Sequence, residues 1–279
     1  MKRRSSRLQS GFGLIELLIA MVLGLLVLGA AIAIFQSNQR TFQANQGLNR
    51  IQENARVAYE LMSRDIRAAG GSACSNLAMP DVEHTNTADE NAFLSSPVSG
   101  SGTEFTVVSG DDASYEISGA TTTSLTLKAG QIDDANDAFK VNDKLILCNA
   151  SQLYVVTATN VTTQTITFTP ATPVVFTNDP RAPPATVMVA RFRNTRWYLD
   201  SGSLYVGRNG AAGQAVIDGV SSLGVTYLRD GQTAYTATPA QWNDVTAVRV
   251  NLTLSGRNVD GGALTRNISN VISLRSRTP

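Results

Sequence analysis

Few residues of this 279-residue chain occur in patterns that support catalysis or metal binding. The only histidine, His84, lies in a polar stretch with Asp81, Glu83 and Asp89. A metal site is conceivable there, but a single histidine among loop acids is more often solvated. The chain has no G-x-S-x-G elbow, phosphate-binding Gly-Lys-Ser/Thr loop or H-E-x-x-H sequence. We therefore predict a protein that is not an enzyme and that uses no metal or cofactor.

Two further clusters each allow a functional and a structural interpretation. The acidic run at 133–137 has the composition of a calcium loop, but it lacks the alternate spacing, the central glycine and the terminal glutamate. It therefore predicts a polar turn. Trp197, Tyr198 and Tyr205 could form an exposed binding platform. Because alternate residues of a strand face inward, the sequence favours placing some of these aromatic rings in the core.

The two cysteines, Cys74 and Cys148, could be bonded to each other. Oxidising compartments preserve disulfides, so export of the chain would favour a bond over the alternative of two buried thiols. Such a bond would restrain the unfolded chain by roughly 4 kcal/mol in the loop-entropy model. The sequence by itself does not show that the two sulfur atoms meet.

Glu16 is the one charged residue in the apolar run from Phe12 to Phe35. As a helix, a run of this length spans about 36 Å, against roughly 30 Å for the hydrocarbon core of a membrane. A carboxylate inside that core costs about 2.5–3.5 kcal/mol, whereas each Leu, Ile, Val or Phe returns about 0.3–0.6 kcal/mol. The run is therefore expected to insert into a membrane despite Glu16.

The charges before the run set its orientation. Residues 1–11 hold four basic side chains and no acid, which places the N-terminus in the cytoplasm and exports the rest. An ordinary secretory signal peptide has a shorter apolar region, so a plain membrane anchor is the more serious alternative. Without these four of the 23 basic residues, 19 remain against 22 acidic ones, a net charge of −3. This balance gives no indication of nucleic-acid binding.

An amphipathic helix is predicted to continue beyond the apolar run. No proline occurs before Pro80, so nothing interrupts the helix. Gly70 and Gly71 predict its end. The apolar residues that recur at spacings of three and four are Leu48, Ile51, Ala55, Ala58, Met62, Ile66 and Ala69.

The remainder is predicted to be β-rich, because short β-branched runs alternate with turn residues. We therefore expect an α+β fold in which a long N-terminal transmembrane and amphipathic helix packs on antiparallel β-sheet, with an additional β-rich section. Polar residues at 72–102 predict a surface connection. The predicted strands are 105–108, 124–128, 144–148, 153–158, 165–169, 186–192, 197–199, 204–206, 223–228, 247–254 and 271–274.

The start of the apolar run also carries a family resemblance. After the basic leader, the chain reads Gly11-Phe12-Gly13-Leu14-Ile15-Glu16, which resembles the type III signal sequence of type IV pilins and type II secretion pseudopilins. Residues 48–74, 216–220 and 242–250 are similar to the PilW family of minor pilins, and the middle of the chain much less so. Gly13 departs from the family, in which Ser or Thr is common at this position. This position does not adjoin the bond that would be cleaved.

This resemblance implies a processing step and a set of partners. A prepilin peptidase would cleave between Gly11 and Phe12 and methylate Phe12, and Glu16 would assist assembly. The partners would be other major and minor pilins, the inner membrane and the pilus assembly platform. The body would lie in the periplasm of a Gram-negative bacterium, and after assembly in the pilus fibre at the cell surface. Cleavage would create an ammonium group four residues before Glu16, within reach of the same or a neighbouring Glu16.

The resemblance also implies a division of the chain. A prepilin leader at 1–11 would precede a transmembrane half-helix at 12–35 and an amphipathic half-helix at 36–71. A β-rich inserted section at 72–184 and a C-terminal pilin-like sheet at 185–279 would complete the chain.

The function implied is that of a minor pilin in type IV pilus assembly or priming. Major pilins commonly close a C-terminal loop with two cysteines, whereas here both cysteines precede residue 150. The alternatives are a type II secretion pseudopilin, which shares the signal and the helix, and a tip adhesin or binding module.

Overall fold

The computed structural model describes residues 13–74, 78–79, 85, 87–172, 186–256 and 264–276. The chain divides into two compact units. One consists of Met1–Arg50 with Gly256–Leu264, and the other of Ile51–Ser255 with Thr265–Pro279. All strands and buried core residues that the structure describes belong to the second unit.

A single helix, α1, runs from Leu14 to Ala68 and confirms the long helix predicted from the sequence. Its apolar first half and amphipathic second half form one element because no proline interrupts the hydrogen-bond ladder. Every buried side chain of α1 lies between Ile51 and Ile66. These residues therefore attach α1 to the β-rich unit.

Gly70 ends α1, as its position in the sequence predicts. Its φ is +67°, a left-handed conformation that glycine adopts without steric cost. The Gly70 N–H donates to the carbonyl of Val108 at 2.8 Å, so the chain leaves the helix by pairing with the β-rich unit. A Cβ at Gly70 would lie 3.1 Å from Pro97 and from the Ser276 hydroxyl.

Nine strands form an antiparallel sheet in the order β1-β2-β3-β6-β5-β4-β7-β8-β9. Its strands are β1 (Val98–Ser101), β2 (Glu104–Ala120), β3 (Ser124–Leu127), β4 (Lys144–Cys148), β5 (Leu153–Val161), β6 (Thr165–Thr169), β7 (Met188–Asp200), β8 (Ser203–Arg208) and β9 (Gln214–Asp218). Two short helices accompany them, α2 (Ala88–Ser95) before β1 and α3 (Ala135–Ala138) before β4.

Six of these strands close into a ring. Strand β2 pairs with β3 on one side and β7 on the other, and β7 also pairs with β4. The ring therefore runs β2-β3-β6-β5-β4-β7 and returns to β2. Alternate residues of its strands form an apolar core that includes Leu125, Leu145, Leu147, Tyr154 and Val189. Each of these six strands therefore pairs with two others of the ring, so none of them is an edge strand.

A separate sheet contains β10 (Val220–Arg229), β11 (Val245–Ser255) and β12 (Thr265–Ser273) in that order. Tyr227 of β10 is fully buried and its ring contacts Trp242 edge to face at 4.9 Å. Its hydroxyl would lie 2.7 Å from a Cβ at Gly100 of β1. Gly100 therefore permits the close approach of Tyr227 to β1.

The predicted fold class is confirmed, with differences in detail. Strands β4 and β6 have the predicted limits. The predicted strand 186–192 begins two residues before β7, and the rest of it and the predicted strand 197–199 lie in that single strand. The surface connection predicted at 72–102 is wrong in part, because α2 and β1 lie within it. Along the sequence, the first sheet ends with β9 at Asp218 and the second sheet begins with β10 at Val220. Strands β7 to β9 therefore belong to the first sheet. The predicted domain limits stay a prediction.

Candidate functional site

The apolar half of α1 is exposed on all sides. The large side chains from Leu14 to Phe35 are between 49% and 81% exposed. By length and composition this helix can cross a membrane. An apolar surface that surrounds a helix requires a membrane or other helices to cover it.

Glu16 lies in the first turn of α1 and is exposed. The carbonyl of Gly13 accepts the N–H groups of Glu16 and Leu17 at 3.0 and 3.2 Å. In the described part of the chain, Glu16 makes no ion pair. Its carboxylate is therefore free to accept a partner.

The two predicted processing residues, Gly11 and Phe12, lie outside the described residues. The processing and assembly roles of Gly11, Phe12 and Glu16 thus stay predictions. Glu16 follows Phe12 by four positions in the sequence, the spacing of neighbours on one helix face.

Tyr59 fixes the second half of α1 to β11 and β12. Its hydroxyl lies 3.1 Å from the carbonyl oxygen of Val250 and 2.6 Å from that of Ile268, and donates its single proton to them. Burial raises the pKa of Tyr59 to about 12, so the phenol stays a donor at neutral pH. One turn earlier, the Asn54 amide donates to the carbonyl and carboxylate oxygens of Asp218 at 3.0 and 3.2 Å.

Asp65 is a buried carboxylate that joins α1 to β7. The Trp197 indole N–H donates to it at 2.9 Å, and both side chains are at most 6% exposed. Burial raises the pKa of Asp65, and the bond from Trp197 and the charges of Arg208 and Arg193 oppose this effect. The pair therefore satisfies two buried polar groups, but the carboxylate pays a desolvation penalty when ionised.

Cys74 and Cys148 are joined by a disulfide, with their Cα atoms 6.0 Å apart. The bond ties the segment after α1 to the end of β4. It borders an apolar cluster that includes Ala78, Phe93 and Phe192. Of the two arrangements that the sequence left open, the structure contains the bonded one.

Among the described residues, the remaining sequence candidates do not form a chemical site. His84 lies outside the described residues, and the described ranges contain no group of three His, Cys, Asp or Glu that could hold a metal ion. Asp134 instead caps α3 by accepting the N–H of Asn136 at 2.8 Å. Trp197 is in the core, and the rings of Tyr198 and Tyr205 stack on each other at 5.5 Å.

A charged cluster around a bulge in β2 was missed by the sequence reasoning. The register between β2 and β7 shifts between Gly110 and Ser114, and this bulge carries Asp111 and Asp112. The Asp111 carboxylate accepts hydrogen bonds from the guanidinium groups of Arg191 at 2.9 Å and Arg193 at 2.6 Å. The adjacent acids inside a strand were the available signal, because charged pairs are unusual in a strand without a bulge or an edge.

Comparisons with known proteins identify one segment. Residues 6–32 match the prokaryotic N-terminal methylation motif, a segment that includes Gly11, Phe12 and Glu16. No curated protein matches the chain. Among solved structures, the type IV-like pilin TTHA1219 from Thermus thermophilus is 11% identical, with a TM-score of 0.38, over 82% of this chain and 98% of its own. A likeness of that size carries no argument about function, and the PilW assignment stays a prediction.

Proposed function

We propose that the chain is a minor pilin that is processed at its N-terminus and joins a type IV pilus through α1. The match of residues 6–32 to the N-terminal methylation motif carries this proposal. The exposed apolar half of α1 supports it, because the same surface can lie in a membrane or against other apolar helices. Other pilins, a prepilin peptidase and the assembly platform are the partners that this function requires.

Retention in the membrane is the first use of α1. The four basic residues of the leader hold the N-terminus in the cytoplasm. The β-rich unit, which begins at Ile51, follows the apolar run and lies on the other side of the membrane. The body is thereby delivered to the compartment in which a fibre assembles, and there the disulfide is stable.

Assembly is the second use, and Glu16 provides its specificity. A carboxylate without a partner is costly in a membrane or between apolar helices. Cleavage after Gly11 would remove the basic leader and create an ammonium group on Phe12. This group would pair with Glu16 of the same or an adjacent subunit. A paired Glu16 would then set the position of one helix against the next.

Mass spectrometry of the protein from its native cells tests the processing step. We expect a chain that lacks residues 1–11 and begins at a methylated Phe12. Gly11→Val should preserve the full precursor, because a branched side chain at the cleaved bond blocks the peptidase. Gly13→Ala is the matched control and should be processed normally, since a Cβ at Gly13 meets no atom within 4 Å. An intact leader on the wild-type chain would overturn the proposal.

A further inference from the structure

A concentration of positive charge lies beside the end of α1, on a body that is slightly acidic overall. Two grooves of about 690 and 260 Å³ share Asp111. Seven basic and three acidic side chains line them, a net charge of +4, against −3 for all residues after the leader. We call this set the basic surface: Arg64, Arg67, Lys144, Arg191, Arg193, Arg208 and Arg275, with Asp111, Asp112 and Asp143.

Part of this charge is neutralised within the body. Asp111 pairs with Arg191 and Arg193, Asp112 pairs with Arg64, and Lys144 pairs with Asp89 at 2.6 Å. These contacts hold the strands and the end of α1 in place. Four of the seven basic side chains are therefore already in ion pairs.

Three arginines of the basic surface keep their charge available. Arg67, Arg208 and Arg275 are exposed and make no ion pair among the described residues, and the charge of Arg208 also acts on Asp65. Ser72, Ser114 and Ser276 lie along the same groove as Arg67 and Arg275 and add hydroxyl groups. Guanidinium groups with neighbouring hydroxyls suit separate carboxylates, which arginine binds through two parallel hydrogen bonds.

A nucleic acid fits this surface less well. Asp111, Asp112 and Asp143 are interspersed among the cations and would repel a continuous phosphate backbone. Phe192 is the only aromatic side chain along the two grooves in the described part of the chain, and it is buried. Single-stranded nucleic acids are bound largely by stacking on exposed aromatic rings. The surface therefore favours a protein segment with spaced carboxylates.

The chain itself carries such a segment. Asp133, Asp134 and Asp137, which we call the acidic turn, place three carboxylates within five positions at α3. None of them makes an ion pair in the described ranges. The N–H groups of Asn136 lower the pKa of Asp134, which keeps it charged. Other acids in the described part of this unit are in ion pairs, as in Glu104–Arg196, Glu116–Lys128 and Asp244–Arg229.

We propose that the acidic turn of one copy binds the basic surface of a second copy. The two patches are different parts of the same unit, so the contact is head to tail and leaves a free patch at each end. A head-to-tail contact extends into an open array where its rotation does not close a ring. This inference rests on the proposed function and adds to it a contact between bodies, separate from the packing of apolar helices.

Self-association of the purified full-length chain in detergent tests the contact, measured by sedimentation at low and at high salt. Ionic contacts weaken as salt shortens the range of charge interactions, whereas apolar helix contacts do not. Both Arg67→Glu with Arg275→Glu and Asp133→Lys with Asp137→Lys should weaken association about tenfold at low salt. The variant with all four substitutions should regain it, because the charges are again opposite.

Asp200→Lys with Asp230→Lys is the matched control for the acidic-turn variant, since it raises the net charge equally at two exposed acids elsewhere. Association equal to wild type in both reversed variants would overturn the proposal. Loss of association in the arginine variant alone would assign the basic surface to a different acidic segment of this chain and would also overturn the proposal. The readout is independent of processing, so failure here leaves the proposed function standing. An intact leader in cells would remove the proposed function without changing this measurement.

Discussion

Asp65 shows how a single buried residue makes stability depend on pH. Its pKa is raised by burial, so the folded state binds the Asp65 proton more tightly than the unfolded state does. The protonated form thus contributes stability that is present below the ordinary Asp pKa. This contribution is lost as the pH rises from there through the raised value in the folded chain.

We therefore predict that Asp65→Asn changes the pH profile of unfolding. An amide oxygen can still accept from the Trp197 N–H, while the ionisable group is gone. The free energy of unfolding of the variant, relative to wild type, should increase as the pH rises above about 3.9 and level off above the raised pKa. Denaturant unfolding of the full chain in detergent measures this.

Asp200→Asn, at an exposed aspartate outside the acidic turn, is the control and should keep the wild-type profile. A difference between Asp65→Asn and wild type that does not change with pH would show that Asp65 titrates alike in the folded and unfolded chains.

At the residue scale, the sequence identifies local signals and misses distant pairs. Glu16 stands out because it interrupts an apolar run. The Thr87-x-x-Glu90 capping box is also visible in the sequence and could have revealed α2. The bond between Asp65 and Trp197 joins residues 132 positions apart, so no local pattern indicates it.

At the scale of elements, the disulfide connects the exit of α1 to the ring of strands. Cys74 follows α1 by a short segment and Cys148 ends β4. The bond therefore restrains the region in which Gly70 pairs with Val108 and Gly71 with Gly110.

Removing the disulfide should lower the stability of the β-rich unit. For Cys74→Ser with Cys148→Ser we expect a loss of about 2–4 kcal/mol in the free energy of unfolding, because the unfolded chain gains freedom over a separation of 74 residues. A reducing agent should destabilise the wild type by a similar amount and leave the double variant unchanged. Equal stability of oxidised and reduced wild-type protein would contradict this expectation.

Individual elements were predictable where their periodicity is local. Strand β6 follows from a β-branched run and β4 from a short apolar run, both between turn residues, and Gly70 marks the end of α1. The ring was not predictable, because its closure depends on β2 pairing with β3 and with the distant β7. A strand's periodicity specifies which residues face the core and not which strand lies next to it.

At the scale of the whole molecule, the proposed processing would separate two uses of one hydrophobic surface. With its leader, the apolar half of α1 would anchor the chain in a membrane. Without the leader, the same side chains would pack against other apolar helices, and Glu16 would gain a partner. The contact between the basic surface and the acidic turn would then act between bodies, so helices and bodies supply different interactions to one assembly.

The distribution of the chain between the membrane and sheared fibres tests this account most directly. The account predicts that wild-type protein is present in both fractions, and that Glu16→Ala inserts normally but falls at least tenfold in the fibre fraction, because the Phe12 ammonium loses its partner. Glu53→Ala, at an exposed glutamate of the same helix, is the matched control and should resemble wild type. Wild-type amounts of Glu16→Ala in sheared fibres would contradict the central role of Glu16 in assembly.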